Sequence, residues 1–167
     1  MNILKTTLLA TALFAAGTAS AFAAGTDTKT FNVKIVITSV CDIQTAPTDV
    51  DFGNTASTAT DKTATGTVNV KCTSGTPYNI GLNAGTTAGS TVTNRRMKSA
   101  TAGNTDLVPY SLYRDSGMTQ NWGNTVGETL TDTGTGAVQA KSVYGKVPSA
   151  NFRADSYSDV VTATVTW

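Results

Sequence analysis

Phe31-Asn32-Val33-Lys34-Ile35-Val36-Ile37-Thr38-Ser39-Val40-Cys41 sets large apolar residues at Phe31, Val33, Ile35 and Ile37, the two-residue period of a β-strand with one apolar face. No Gly or Pro turns the chain between Phe31 and Ala46, so a continuous strand of about 16 residues at ~3.3 Å each would run roughly 50 Å. A domain of this size has a radius of gyration near ~14 Å, and strands usually run about 3 to 10 residues, so part of this one is expected to project beyond the fold. A projecting strand with one apolar face invites aggregation unless something receives it. The expected receiver is another subunit.

Upstream, residues 1–23 read as a secretory signal. Lys5 gives the positive start, Leu8 to Ala16 the apolar stretch, and Ala21-Phe22-Ala23 a small-x-small cleavage site, with Ala19-Ser20-Ala21 as a second possibility. The apolar run is shorter than the ~20 residues of a spanning helix, so export is expected rather than direct membrane insertion. Removing residues 1–23 leaves roughly 144 of the 167 residues, enough for one domain with a real core. The expected organisation is therefore a signal over 1–23, an extension and joint over 24–39, and one domain over 40–167.

Lys and Arg number 12 against 11 acidic residues, and loss of Lys5 would make the mature chain formally neutral. Nucleic acid is not an expected partner, because backbone binding needs a concentrated basic patch. Arg95-Arg96 with Lys98 is the one basic cluster, and it reads as a solvated turn. Cys41 and Cys72 are the two cysteines, and after an export signal an intramolecular disulfide is the default. It would close a loop of about 30 residues and contribute on the order of 3 to 4 kcal/mol. A reactive or metal-bound pair is the alternative, though a chain without histidine offers no four-ligand zinc site.

Thr, Val, Ser, Asn and Gly dominate, Glu occurs once, and no window shows a capped helical stripe, so the fold class is all-β. Short alternating segments between turn-rich stretches suit a β-sandwich. Val68, Val70 and Cys72 share a face over 67–73, as do Tyr78, Ile80 and Leu82 over 77–83, and Val108, Tyr110 and Leu112 over 108–114. A longer strand region over 138–147 holds Val143, Tyr144 and Val147. The clearest alternation is the last, with Tyr157, Asp159, Val161, Ala163, Val165 and Trp167 on one side. Residues 84–89, 102–104 and 131–136 read as loops. Six to seven strands result where a sandwich usually needs seven or more, and the sequence given stops at Trp167 in mid-pattern. The domain is expected to be one strand short, and a neighbour's surplus strand would fill the deficit.

Without histidine the usual general base and every Ser-His-Asp or Cys-His arrangement are missing. Asp49 with Asp51, or Asp155 with Asp159, could be proposed as an acid/base pair, but Asp in turns more often caps local backbone. No phosphate-loop, dinucleotide or nucleophile-elbow spacing occurs, and neither an enzyme nor a cofactor is expected. Trp122, in Asn121-Trp122-Gly123-Asn124, is either a sugar-stacking aromatic or a loop tryptophan packed over the sandwich end.

Together these residues resemble the spore coat protein U domain family, which includes subunits of archaic chaperone-usher pili. The resemblance spans the mature chain and rests on the run into Cys41, Asp51-Phe52-Gly53, Val70-Lys71-Cys72, Pro77-Tyr78, Arg96-Met97 and Leu112-Tyr113-Arg114-Asp115. It continues through Trp122-Gly123, Val143-Tyr144-Gly145 and Tyr157-Ser158-Asp159 into Val165-Thr166-Trp167. It implies an incomplete immunoglobulin-like β-sandwich completed by a donor strand from a neighbouring subunit. It further implies a periplasmic chaperone, an outer-membrane usher and a homo-polymer on the cell surface that supports adhesion and biofilm formation. Carried over, Phe31, Val33, Ile35 and Ile37 are the donor side chains, Cys41 and Cys72 the bridge, and Val161, Ala163, Val165 and Trp167 the border of the acceptor groove. A carbohydrate-binding or adhesive tip domain, or a spore or outer coat protein of the same fold, is the alternative.

Overall fold

Inward-facing Val68, Val70 and Cys72 end a strand longer than their alternation foretells, because Thr60–Cys72 (β2) starts seven residues before that pattern does. It is the backbone of a fold described here for residues 24–167 by a computed structural model; the expected signal segment lies outside the described residues. Residues 24–36 form a unit of their own, exposed and without helix or strand. The remaining unit holds nine strands and, among the described residues, no helix.

Before β2 comes the short Cys41–Ile43 (β1), and after it Pro77–Leu82 (β3), Arg95–Ser99 (β4), Leu107–Tyr113 (β5), Leu130–Thr133 (β6), Val138–Ser149 (β7), Tyr157–Ser158 (β8) and Ala163–Thr166 (β9). One sheet has the order β1-β2-β7-β5-β4-β8 and the other β6-β3-β9, with every pairing antiparallel. The β2–β7 ladder, from Thr60↔Ser149 to Lys71↔Val138, spans the larger sheet from end to end. Between the sheets lies a core of Val68, Val70, Tyr78, Ile80, Leu112 and Trp122, with Val143 and Val147 from β7. This is the incomplete immunoglobulin-like sandwich expected from the sequence.

Cys41 and Cys72 face one another in the β1–β2 register and are bridged, with Cα atoms 4.1 Å apart. The bridge fastens the start of the domain to the far end of β2. Around the turn that follows, Gly75 sits at φ 78°, the left-handed region open to glycine, and hands the chain from one sheet to the other.

Several local readings are corrected. The strand expected from Phe31 to Ala46 is present only over Cys41–Ile43, since residues 24–40 have no ladder partner among the described residues and a strand requires one. Arg95 to Lys98 is not a solvated turn but lies in β4, with Arg95 fully buried. Within the loop expected over 131–136, β6 takes the first half. The strand expected over 157–167 is two pieces in different sheets, β8 and β9, parted at Asp159.

Candidate functional site

Only one edge of β9 is paired. Leu82↔Ala163, Ile80↔Val165 and Asn79↔Thr166 join it to β3, while its other edge has no ladder partner among the described residues. Beside the start of this strand opens a cleft of about 500 Å³. Its floor is core: Val68, Leu82, Tyr110, Leu112 and Val143 all reach it. One wall is the Tyr157–Ala163 stretch and the other is the segment Pro47–Phe52. A second cleft of about 790 Å³ continues along the same face toward the start of β2 and the end of β7, sharing Val50, Asp51, Phe52, Met97 and Tyr157 with the first.

The Pro47–Phe52 segment acts as a strap across the inner face of the larger sheet. Thr48 is tied to β2 by its N–H on Thr67 O at 2.9 Å, and the Asp51 carboxylate accepts the Gly53 N–H at 2.8 Å in a local turn. Two buried glycines let the strap lie close. A Cβ on Gly66 would stand 2.5 Å from Thr48 O and 2.9 Å from a Val50 methyl; one on Gly145 would stand 2.4 Å from the other Val50 methyl. Val50 and Phe52 therefore line the groove half-buried, their outer faces open.

Asp159 ends the β8 wall in an inward position. Its Oδ1 accepts from the backbone N–H of Thr86 (2.9 Å) and of Thr87 (3.0 Å) and from both threonine hydroxyls, and its Oδ2 accepts the Tyr110 hydroxyl at 2.7 Å. Burial pushes this carboxyl up, but the Tyr110 and threonine donors outweigh it and hold it below the usual carboxylate range. Burial, and then the bond to Asp159, raise the Tyr110 phenol. Gly85 (φ 87°) makes room for the carboxylate, since a Cβ there would lie 1.9 Å from Asp159 Oδ2.

Next to it, Arg95 spans the sheets as a fully buried cation. Its Nε donates to Asn83 O (2.8 Å), Nη1 to Val92 O (2.7 Å), and Nη2 to Leu82 O (3.0 Å) and Trp122 O (2.8 Å). Desolvation lowers its pKa, and the four carbonyls supply the polar contacts that water would. Trp122 is enclosed and donates its indole N–H to Ile80 O at 2.8 Å, so it packs the sandwich end and has no open ring face for a sugar.

Of the residues singled out from sequence, Val161 and Ala163 line the first cleft, Val165 packs half-buried against the core, and Trp167 is 57% exposed. Phe31, Val33, Ile35 and Ile37 are 84%, 88%, 82% and 77% exposed. Asp155 and Asp159 form no pair: Asp155 is taken up by Ser99, Thr101, Asn104 and the Ser156 N–H, which hold its carboxyl far below the usual range. Asp51 caps its own turn, as described above. The strap, Met97 and the Arg95 hub are groove-forming parts that the alternation of apolar residues does not reveal. Phe52 in Asp51-Phe52-Gly53 and the paired glycines Gly66 and Gly145 are the signals that could have found the strap.

A model of the Spore Coat Protein U domain matches residues 27–164. The curated relative "Protein U" of Myxococcus xanthus is 33% identical over 183 aligned positions, covering all of both chains. Among solved structures, similarity extends to a chain of the chaperone–tip adhesion subunit pre-assembly complex from the archaic chaperone-usher Csu pili of Acinetobacter baumannii. The TM-score is 0.56 at 21% identity, over 78% of this chain and 40% of that one, a likeness of fold.

Proposed function

The chain belongs to the Spore Coat Protein U domain family, and we propose that it is a structural subunit of a secreted surface fibre, an archaic chaperone-usher pilus, built by donor-strand exchange. The observation that carries this reading is the unpaired edge of β9 beside a cleft floored by core side chains, in a chain that also has four exposed apolar side chains at strand spacing in Phe31–Ile37. A neighbour's strand laid along β9 would satisfy that edge and cover the floor. Burying four such side chains at ~1.5 to 3 kcal/mol each yields roughly 6 to 12 kcal/mol, before main-chain pairing is added and ordering costs subtracted.

In this reading residues 24–39 are the donor extension and joint, residues 40–167 the acceptor domain, and Val161, Ala163, Val165 and Trp167 the groove border. A periplasmic chaperone holds the open groove until an outer-membrane usher adds the subunit to a homo-polymer at the cell surface, where the fibre serves adhesion and biofilm formation. The role is mechanical and needs no catalysis, cofactor or nucleic acid. The fold likeness to a chain of a chaperone–subunit complex supports the chaperone.

Purified fibres are expected to run as heat-labile ladders on a non-boiled gel. An Ile35→Asp chain is exported but gives no ladder; normal ladders from that variant would overturn the donor assignment. The family's description and the Myxococcus xanthus relative favour a second reading, a spore or outer coat protein assembled by the same exchange. Neighbouring chaperone and usher genes distinguish the two.

A further inference from the structure

Arg95 is the one member of the basic cluster Arg95-Arg96-Lys98 that turns fully into the core, so strand alternation leaves Arg96 and Lys98 on the outer face of the larger sheet, away from both clefts. Tyr113 and Tyr144 stand on the same face, since their neighbours Leu112 and Val143 are buried. We propose that this face is a docking surface for an acidic polysaccharide, with sugar rings over the two tyrosines and the carboxylates or sulfates of the polymer on Arg96 and Lys98. The surface is complete in one copy of the chain and does not rest on the fibre reading.

Register builds the face row by row. Tyr113 of β5 lies opposite Tyr144 of β7, and Thr65 of β2 continues that row. Ser111, Lys146 and Thr63 form the next one. Farther along β5, Arg96 lies opposite Pro109 and Lys98 opposite Leu107. From Leu107 to Tyr113 the strand runs about 20 Å at ~3.3 Å per step, which suits an extended polymer several sugars long. Both tyrosines are half-exposed on this open face, which has none of the enclosure that a small ligand needs.

Charge selects an anionic occupant. Lys146 is taken by Asp61 at 2.8 Å, and Lys71 at the far edge lies opposite Asp42. Arg96 and Lys98 have no ion pair among the described residues, so the face carries an excess of positive charge. Asp106, which accepts the Arg153 N–H at 3.2 Å, and Asp155, which lines the second cleft, flank the β4 edge on its inner side. Ring faces among hydroxyls point to a sugar: Thr63, Thr65, Thr67, Ser111 and Ser142 surround the tyrosines, and a sugar ring offers C–H groups to stack and hydroxyls to pair. A protein partner would need a larger apolar centre than Leu107 and Pro109 provide. Duplex DNA keeps its base faces stacked inside, out of reach of the tyrosines.

The test uses the full chain as exported and immobilised polygalacturonate, a linear acidic polysaccharide, with its fully methyl-esterified form and duplex DNA as comparisons. The unaltered chain is expected to bind polygalacturonate more tightly than either. Tyr113→Val and Tyr144→Val, which keep strand propensity, should each weaken that binding about twofold to tenfold through the lost ring contact. Arg96→Gln combined with Lys98→Gln should weaken it about twofold to thirtyfold and flatten its salt dependence. Absence of binding at low salt, tyrosine variants that bind as the unaltered chain does, or DNA bound more tightly than polygalacturonate would each overturn the proposal. Urea midpoints followed through the fluorescence of buried Trp122 check that the variants are folded. Should a tyrosine variant fail to fold, the Arg96 and Lys98 double variant decides alone, and an unchanged affinity there overturns the proposal.

Discussion

Ile35→Ala separates the cost of the joint between subunits from the cost of folding. In the unassembled chain the Ile35 side chain is 82% exposed, so truncating it removes almost no packing and changes domain stability by no more than about 0.5 kcal/mol. In the proposed fibre the same side chain would enter the groove floored by Leu82, Tyr110 and Leu112, and loss of a buried isoleucine to alanine costs about 2 to 5 kcal/mol. At 1.4 kcal/mol per factor of ten, the joint weakens roughly 30-fold to several thousand-fold. Stepwise heating of assembled fibres, read on a non-boiled gel, measures the joint. Urea unfolding of unassembled chain, followed by the fluorescence of buried Trp122, measures the domain. Ladders should melt at lower temperature with the urea midpoint unmoved. Unchanged ladder melting, or a fall in domain stability as large as the fall in the joint, would refute the division of labour between extension and domain.

Arg95→Met removes the donor to four carbonyls within the sandwich, and leaving them unpaired should cost at least about 3 kcal/mol, seen as a lowered urea midpoint. Gly145→Val would drive a side chain into Val50 and Phe52, costing about 1 to 3 kcal/mol and displacing the strap, so donor-peptide uptake by an extension-deleted chain should slow along with the loss of stability. Asp159 and Asp155 bind their donors as carboxylates and have lowered folded-state pKa values, so their contribution is complete above the ordinary carboxylate range and is lost as pH falls below about 4. An Asp159→Asn chain should show a lower and flatter stability profile in that acid window; an unaltered slope between pH 5 and the acid transition would count against the role of Asp159.

The strands that could be read from sequence are those in which an apolar alternation and a buried face coincide: Val68-Val70-Cys72, Tyr78-Ile80-Leu82 and Val108-Tyr110-Leu112. The first half of β2 escaped because its inward residues include Ala64 and Gly66. Smallness there signals a close approach by the strap, which the two-residue period does not register. β4 was hidden by its composition, since the residue it turns fully inward is Arg95, and a guanidinium can be buried only where carbonyls from other segments converge on it. Nothing within residues 95–99 announces that convergence. The break at Asp159 is of the same kind: its donors, Thr86, Thr87 and Tyr110, lie at least 49 residues away in sequence. That Val161 and Ala163 turn toward the first cleft was legible from alternation, whereas the opposite wall is irregular chain held by tertiary contacts.

An incomplete sandwich must keep its sheets apart and in register without the strand that would join them. Apolar packing alone opposes this, because closing the cleft would bury Val50, Met97, Tyr157 and Val161 more fully. The polar hub supplies the resistance. Arg95, rooted in β4 of the larger sheet, holds Leu82 O at the end of β3 in the smaller one, and Asp159 holds the 86–87 loop and Tyr110 of β5. Sliding the sheets together would strip a buried cation and a hydrogen-bonded carboxylate of directional partners, a penalty of several kcal/mol set against the added apolar burial. At the opposite end the Cys41–Cys72 bridge fixes β1 to β2. That bridge lies within the larger sheet, so the contact that props the two sheets apart is the one from Arg95 of β4 to Leu82 O of β3, backed by Asp159, and the apolar floor beside it stays open.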